Sequence, residues 1–517
     1  TVGVVPQKEL KGMWSQSEPQ SARSFSATAF FFAKKLRESL KVPVGIIHAS
    51  WGGTPVEAWI KGTSLSTLPN YSTIVDDLRK SETEMARLTA WLGKYPTVDM
   101  TKNIGAMRFA GMDFQDKQCS EPSYNDSRWK EMNLPIGWEQ TEVGNFDGVI
   151  WFRRSVEIPR AWLGRKLTVE LGPVDDIDVT FVNGVKAGGY EGEGFWKTDR
   201  VYDIPAGAVK DPRVMIAVRV TDTQGGGGIF GSKEQMKIRL AGTDSSVSLA
   251  GVWKYLPVAD YRSNTFTVYG PKNEEFYSRP QMKVDPSPYT PSTLYNGMIS
   301  PLLPYTIGGA IWYQGESNVG RAEEYQTLFP MMIQQWRNDF NSGTFPFLFA
   351  QIAPWKYSAG SHSELLREAQ LKTLSLKNTG MAVTLDIGNN DNIHPARKEE
   401  VGQRLALLAL NRQYGKKITP SGPEYSSMKI ENGKIILSFK NIGGGLVLSN
   451  DAEFMIAGDD QRFLPASAMV KGSSIIVSHP DVAKPAAVRY AFSDTSSAVL
   501  FNKEGFPASS FRTDRWK

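Results

Sequence analysis

Two kinds of hydrophobic spacing alternate along this chain. Residues 25–40, FSATAFFFAKKLRESL, set Phe25, Ala29, Phe32, Leu36 and Leu40 at helical intervals, which predicts an amphipathic helix. The β-rich run VPVGIIHAS over 42–50 follows and ends at Trp51-Gly52-Gly53-Thr54. Helix, strand and glycine turn in that order are an α/β signature. A further helix is predicted over 73–92. Near residue 103 the spacing shortens, and strands are predicted over 149–158, 166–171, 178–185 and 214–220, separated by Gly, Pro, Asp and Asn. Asn183-Gly184 is a hairpin-turn dipeptide. This region predicts an all-β sandwich or jelly roll, and it is an insertion because α/β spacing resumes after it.

From 305 onward strands and helices alternate. The predicted strands are 308–314, 345–353 and 381–388, and the predicted helices 322–340, 362–376 and 396–415. Repeats of that size predict a parallel sheet covered on both faces. After about 420 the pattern is β again, in KIILSF, SIIVS and AAVRYAF. The expected organisation is an α/β core in two parts, 1–102 and 246–419, an inserted β-sandwich over 103–245, and a small C-terminal β domain over 420–517.

Composition narrows the functional classes. The 517 residues carry 59 Lys and Arg against 54 Asp and Glu, a net charge of +5 with no basic block. That balance argues against a nucleic-acid groove. Cys119 is the only cysteine, so neither an intrachain disulfide nor a thiolate metal site is expected. No apolar run approaches the roughly 20 residues of a membrane span. The N-terminus has no basic region followed by an apolar stretch, so no signal peptide is visible. It opens on an apolar, strand-like run without Met, as expected of a mature or processed form, or of a chain lacking its beginning.

Ligands of open parallel sheets bind beyond the carboxyl ends of the strands, and two polar segments fall there. In DNIHP, Asp391 and His394 are three residues apart ahead of a predicted helix, with Pro395 suited to its opening. A histidine base needs a carboxylate to orient it and to stabilise the imidazolium. The same residues also read as a helix cap and a surface histidine. In IWYQGESN, the loop from Gln314 through Gly315, Glu316 and Ser317 to Asn318 can present amide donors to an oxyanion, or can simply turn a strand into a helix. Ser317 lacks the G-x-S-x-G elbow. Gly52 and Gly53 can offer backbone N–H groups to an anion, although glycine pairs mostly mark tight turns. Gly225 to Gly228 lacks the lysine and helix of a phosphate loop.

The segments FSATAFFFAKKL, GIIHASWGGTPVEAW, LYNGMISPLLPYTIGGAIWYQGESN, LREAQ, DIGNNDNIHPARKEEVGQRLA and FPASSFRTDRW, in that order, resemble the sialate O-acetylesterase family, serine esterases of the SGNH (GDSL-like) hydrolase superfamily. The resemblance implies a flavodoxin-like three-layer core and a Ser–His–Asp type site that removes acetyl groups from sugars without a metal or other cofactor. It implies His394 as base and Asp391 as its orienting acid, with Glu316 as the rival acid. Gly52, Gly53, Gln314, Gly315 and Asn318 would hold the oxyanion and substrate. It also implies a bacterial secreted or periplasmic location. Such enzymes carry their nucleophile in a GQSNM-like block upstream of everything here. The nearest string, WSQSEP over 14–19, lacks the glycine and the preceding strand, so the block is expected to lie before Thr1.

Two rivals remain open. One keeps the chemistry and changes the sugar, for instance to acetylated xylan. The other is a non-catalytic glycan-binding protein that stacks sugars on Trp129, Trp138, Trp151 or Trp196 of the inserted sandwich; the same tryptophans also read as core.

Overall fold

The computed structural model describes residues 2–10, 12–103, 105–205, 207–271, 274–280, 282, 284 and 286–516. Contacts divide the chain into two compact units, Thr1–Glu82 with Pro286–Lys517, and Thr83–Asp285.

The first unit is mixed α/β. Three parallel strands lie in the order Ala310–Tyr313, Phe347–Ala350 and Thr379–Ala382. Strand alternation sorts their side chains between two cores. Phe347 and Phe349 pack with Tyr325, Phe329 and Met332 of the helix Ala322–Phe340. Leu348 and Ala350 pack with Phe32 and Leu36 of the helix Ala27–Leu40 and with Val401 and Leu405 of the helix Lys398–Arg412. Helices therefore cover both faces, which is why these strands are apolar throughout. Ser26 starts the first helix by accepting the Ala29 N–H on its side chain at 3.3 Å. Gly402 allows that helix to lie against Lys398–Arg412, since a Cβ there would come within 2.6 Å of the Thr28 carbonyl oxygen.

Some expected elements form differently. Residues 42–50 form no strand, because no neighbouring strand among the described residues offers them a ladder. Val44 and Ile46 nevertheless pack against the Phe32–Leu405 cluster. The strand expected over 381–388 is Thr379–Ala382; beyond it the chain leaves the ladder, and Thr384 donates from its side chain to the Gln351 carbonyl at 2.9 Å. The last core helix begins at Lys398, three residues after Pro395. The helix expected over 73–92 runs over Pro69–Leu92. After 420 the chain forms antiparallel sheets, one of them built from Glu424–Glu431, Lys434–Lys440, Ser474–Ser478 and Ser467–Lys471.

The second unit consists mainly of two antiparallel sheets. Asn183 and Gly184, with φ of 48° and 82°, turn the chain between Ile177–Val182 and Val185–Tyr190, the left-handed pair such a hairpin requires. The strand region extends past 245, because Gly251–Arg262 pairs with Gly148–Glu157 and Thr265–Val268 pairs back on it. A wholly buried ion pair joins Arg200 Nε to Asp178 Oδ1 at 2.7 Å. Its other groups are bonded as well: Tyr202 and Thr180 donate to Asp178, and Arg200 donates to the carbonyls of Val174, Asp176, Phe195 and Thr198. Of the four candidate sugar platforms, Trp129, Trp138 and Trp151 are core, while Trp196 is 42% exposed.

Among the described residues, no helix is long and apolar enough to cross a membrane, and no three His, Cys, Asp or Glu side chains are grouped to hold a metal ion.

Candidate active site

The strand Ala310–Tyr313 runs into Gln314-Gly315 and then a helical turn, Glu316–Asn318. Gly315 has φ 153°, and a Cβ there would come within 2.6 Å of Ile352 Cγ2. Glycine alone is tolerated at that bend. Asn318 is fully buried: its Oδ1 accepts the Val56 N–H at 2.9 Å and Gln314 Nε2 at 2.6 Å, and its Nδ2 donates to Glu57 Oε2 at 3.0 Å. Gln314 Nε2 also donates to the Thr54 carbonyl at 3.1 Å, and its Oε1 accepts the Tyr325 hydroxyl at 3.2 Å. Ser317 donates to the Gly53 carbonyl at 2.5 Å. Glu57 is further paired with Arg321 at 2.7 Å.

The loop with Gly52 and Gly53 and the turn with Gln314, Gly315 and Asn318 are thus joined. The side chains of Gln314 and Asn318 are bonded within the protein. Both N–H groups of Gln314 Nε2 are committed inside the protein, and Asn318 is enclosed, so the two residues brace the loop. The backbone N–H groups of Gly52 and Gly53 donate to no acceptor among the described residues.

Asp391 and His394 lie on an exposed turn ahead of the helix Lys398–Arg412. Side-chain oxygens of Asn389 and Asn392 hold their backbone N–H groups, each at 2.9 Å. No hydrogen bond joins the Asp391 carboxylate to the imidazole. The carboxylate that senses the imidazole's charge is Glu316: burial pushes its pKa above the usual range, and the positive charges of Lys398 and His394 oppose that rise. Burial lowers the Lys398 pKa in turn, while Glu316 raises it. The Lys398 ammonium stands 4.7 Å from the Tyr313 ring centre. The Tyr313 and Tyr357 hydroxyls are buried without hydrogen-bond partners among the described residues, and burial followed by the Glu316 charge raises both. The turns at 314–318 and 391–394 therefore share one electrostatic neighbourhood.

Sequence reasoning overlooked Glu57, Arg321, Lys398 and Tyr357. Two of them carried a signal. Glu57 is a lone acid within the wholly buried run 56–60, and such an acid requires partners. Lys398 is a base in the first turn of a helix, where the dipole disfavours it. A serine–histidine contact also occurs, Ser50 Oγ with His48 Nε2 at 2.5 Å on an exposed stretch, but His48 has no carboxylate partner among the described residues.

Comparison with known proteins places these two turns in one family segment. Residues 285–411 match the family described as carbohydrate esterase, sialic acid-specific acetylesterase. Mouse sialate O-acetylesterase is 34% identical over 171 residues, which is 29% of this chain and 32% of that protein. The human sialate O-acetylesterase is 35% identical over 153 residues, 26% of this chain and 29% of that protein. The chain spans about a third of the length of the curated relatives it matches. A solved carbohydrate acetylesterase from Xanthomonas citri is 26% identical with a TM-score of 0.43, covering 68% of this chain and 96% of that one. The matched segment includes Gln314, Glu316, Asp391 and His394, and the family it resembles is one of carbohydrate esterases.

Proposed function

We propose that this chain carries the acid–base machinery of a serine-type esterase that removes O-acetyl groups from sugars, with O-acetylated sialic acid as the substrate. The observation that carries this reading is the family match over 285–411, since that segment includes both turns of the candidate site. The two layers of helices on a parallel sheet support a flavodoxin-like, SGNH-type core, and the antiparallel second unit supports a jelly-roll insertion.

In the proposed reaction a serine hydroxyl attacks the acetyl carbonyl and His394 accepts its proton. Asp391 orients the imidazolium as it forms, and the Glu316 charge favours it. The backbone N–H groups of Gly52 and Gly53 receive the oxyanion. The tetrahedral adduct collapses, His394 returns the proton to the sugar oxygen, and an acetyl-enzyme remains. Water deprotonated by His394 then releases acetate.

The test is acetate release from O-acetylated sialosides and from p-nitrophenyl acetate by the complete natural protein. His394→Ala should lower kcat/KM by roughly 10⁴-fold. Failure of the complete protein to cleave either ester overturns the esterase reading. Faster turnover on acetylated xylan would keep the chemistry and change the sugar.

A further inference from the structure

The second unit holds a polar cavity that the esterase chemistry does not use. Arg279 is 5% exposed. Its guanidinium stands 5.0 Å from the ring centres of both Phe146 and Phe276, and Nη1 donates to Asp260 Oδ2 at 3.0 Å. The other oxygen of Asp260 accepts Arg262 Nε at 2.9 Å, so one carboxylate faces two guanidinium groups. Arg279 Nε and the Tyr269 hydroxyl, both buried, have no hydrogen-bond partner among the described residues. Burial holds the Tyr269 hydroxyl protonated, and hence a donor.

Beside these groups lies a cavity of about 60 Å³, lined by the polar Arg262, Arg279 and Asn145, by Gly144, and by the apolar Leu88, Pro280 and Met282. A single water needs only about 10–15 Å³ on this measure, so the space admits a group of several heavy atoms but not a whole sugar ring. A buried guanidinium N–H without an acceptor is costly, and an anionic oxygen is the acceptor that relieves it best.

We propose that this cavity binds a small carboxylate or oxyanion, received by Arg279 Nε and the side-chain amide of Asn145. Arg262 adds positive charge, and Leu88 and Met282 accept an apolar substituent such as a methyl group. A free acetate-sized anion and the carboxylate arm of an acidic sugar offer the same chemistry, and they are separated by experiment.

The full protein is titrated at constant ionic strength with sodium acetate, sodium sulfate and N-acetylneuraminic acid, with sodium chloride as the reference, by calorimetry and thermal denaturation. Saturable binding with a rise in Tm is expected. Response to acetate or sulfate identifies a free anion, and response to the sugar acid alone identifies a carboxylate arm. Asn145 is exposed, so Asn145→Ala should fold; it should weaken binding about ten-fold, the loss of one charge-assisted hydrogen bond. Arg279→Lys keeps the charge, lacks Nε and should abolish binding; should it not fold, Asn145→Ala decides. Responses that match chloride, or an affinity unchanged in Asn145→Ala, overturn the site. So does binding that vanishes in His394→Ala but persists in Asn145→Ala, which would belong to the candidate active site.

Discussion

Asn318 Nδ2 donates to Glu57 Oε2 at 3.0 Å, joining residues 261 positions apart in the chain. Through this contact the loop after Thr54 and the turn after Gln314 become one body. Asn318→Ala would leave the Val56 N–H, one Gln314 N–H and one Glu57 oxygen without their partners. Buried groups stranded this way cost about 1–3 kcal/mol each, so urea unfolding should show a loss of about 3 kcal/mol. Glu57→Gln should be milder in its effect on Asn318, since a carbonyl oxygen remains to accept. A loss below about 0.5 kcal/mol for Asn318→Ala, the level of an ordinary surface substitution, would mean that the brace does not hold the loop.

The proposed roles of Asp391 and Glu316 can be separated by experiment. Asp391 shares its turn with the histidine, and Glu316 lies where it senses the charge of His394. Asp391→Asn should lower kcat by about 10⁴-fold with KM little changed, as loss of an orienting acid does. Glu316→Gln removes a field contribution and not a hydrogen bond, so its loss should be smaller, of the order of 10²-fold. The reverse ranking in steady-state kinetics would transfer the orienting role to Glu316.

Lys398 opposes the rise that burial causes in the Glu316 pKa. It is the larger of the two positive charges that do so. Tyr313, Tyr325 and Tyr357 also feel the Glu316 carboxylate. Lys398→Met should push the Glu316 pKa higher still, so that the carboxylate takes up its proton at higher pH. The acid limb of the kcat/KM profile should then move to higher pH, and Lys398→Arg should restore it. A profile that falls uniformly without moving would assign Lys398 to packing on Tyr313.

Periodicity made most of the first unit legible. Strand apolarity and helix spacing are local properties: the runs at 310–313 and 347–350 reflect packing on both faces of the sheet, and those at 322–340 and 27–40 reflect the buried faces of helices. The run at 42–50 misled because β propensity describes a side chain's fit to a sheet and cannot supply the neighbouring strand. The bracing by Gln314 and Asn318 was hidden for a related reason. An amide in a polar loop is equally suited to bracing and to catalysis, and only the fold reveals that Val56, Thr54 and Glu57 already use them. The three-residue spacing of Asp391 and His394 is local and can be read directly, whereas the Lys398–Glu316 coupling joins segments some eighty residues apart.

Asp175 closes the strand Leu167–Asp175 of the second unit. Burial, followed by the adjacent Asp176 and then Glu139, raises its pKa to about 7, and Arg200 opposes the rise. An unfolded aspartate titrates near 3.9. The folded state therefore binds the proton more tightly. The stability this confers is fully present below the unfolded pKa and is lost as pH rises through about 7. Asp175→Asn keeps the shape and cannot ionise, so it escapes the loss. Its Tm should match the parent at about pH 4 and exceed it at about pH 8, with the difference developing between the two pKa values. Comparing variant with parent at each pH cancels the titration of groups they share, and the observed midpoint belongs to the Asp175–Asp176 pair. An equal Tm difference at both pH values would show that Asp175 does not titrate between them, and a variant less stable at about pH 8 would show that its carboxylate is stabilising where it stands.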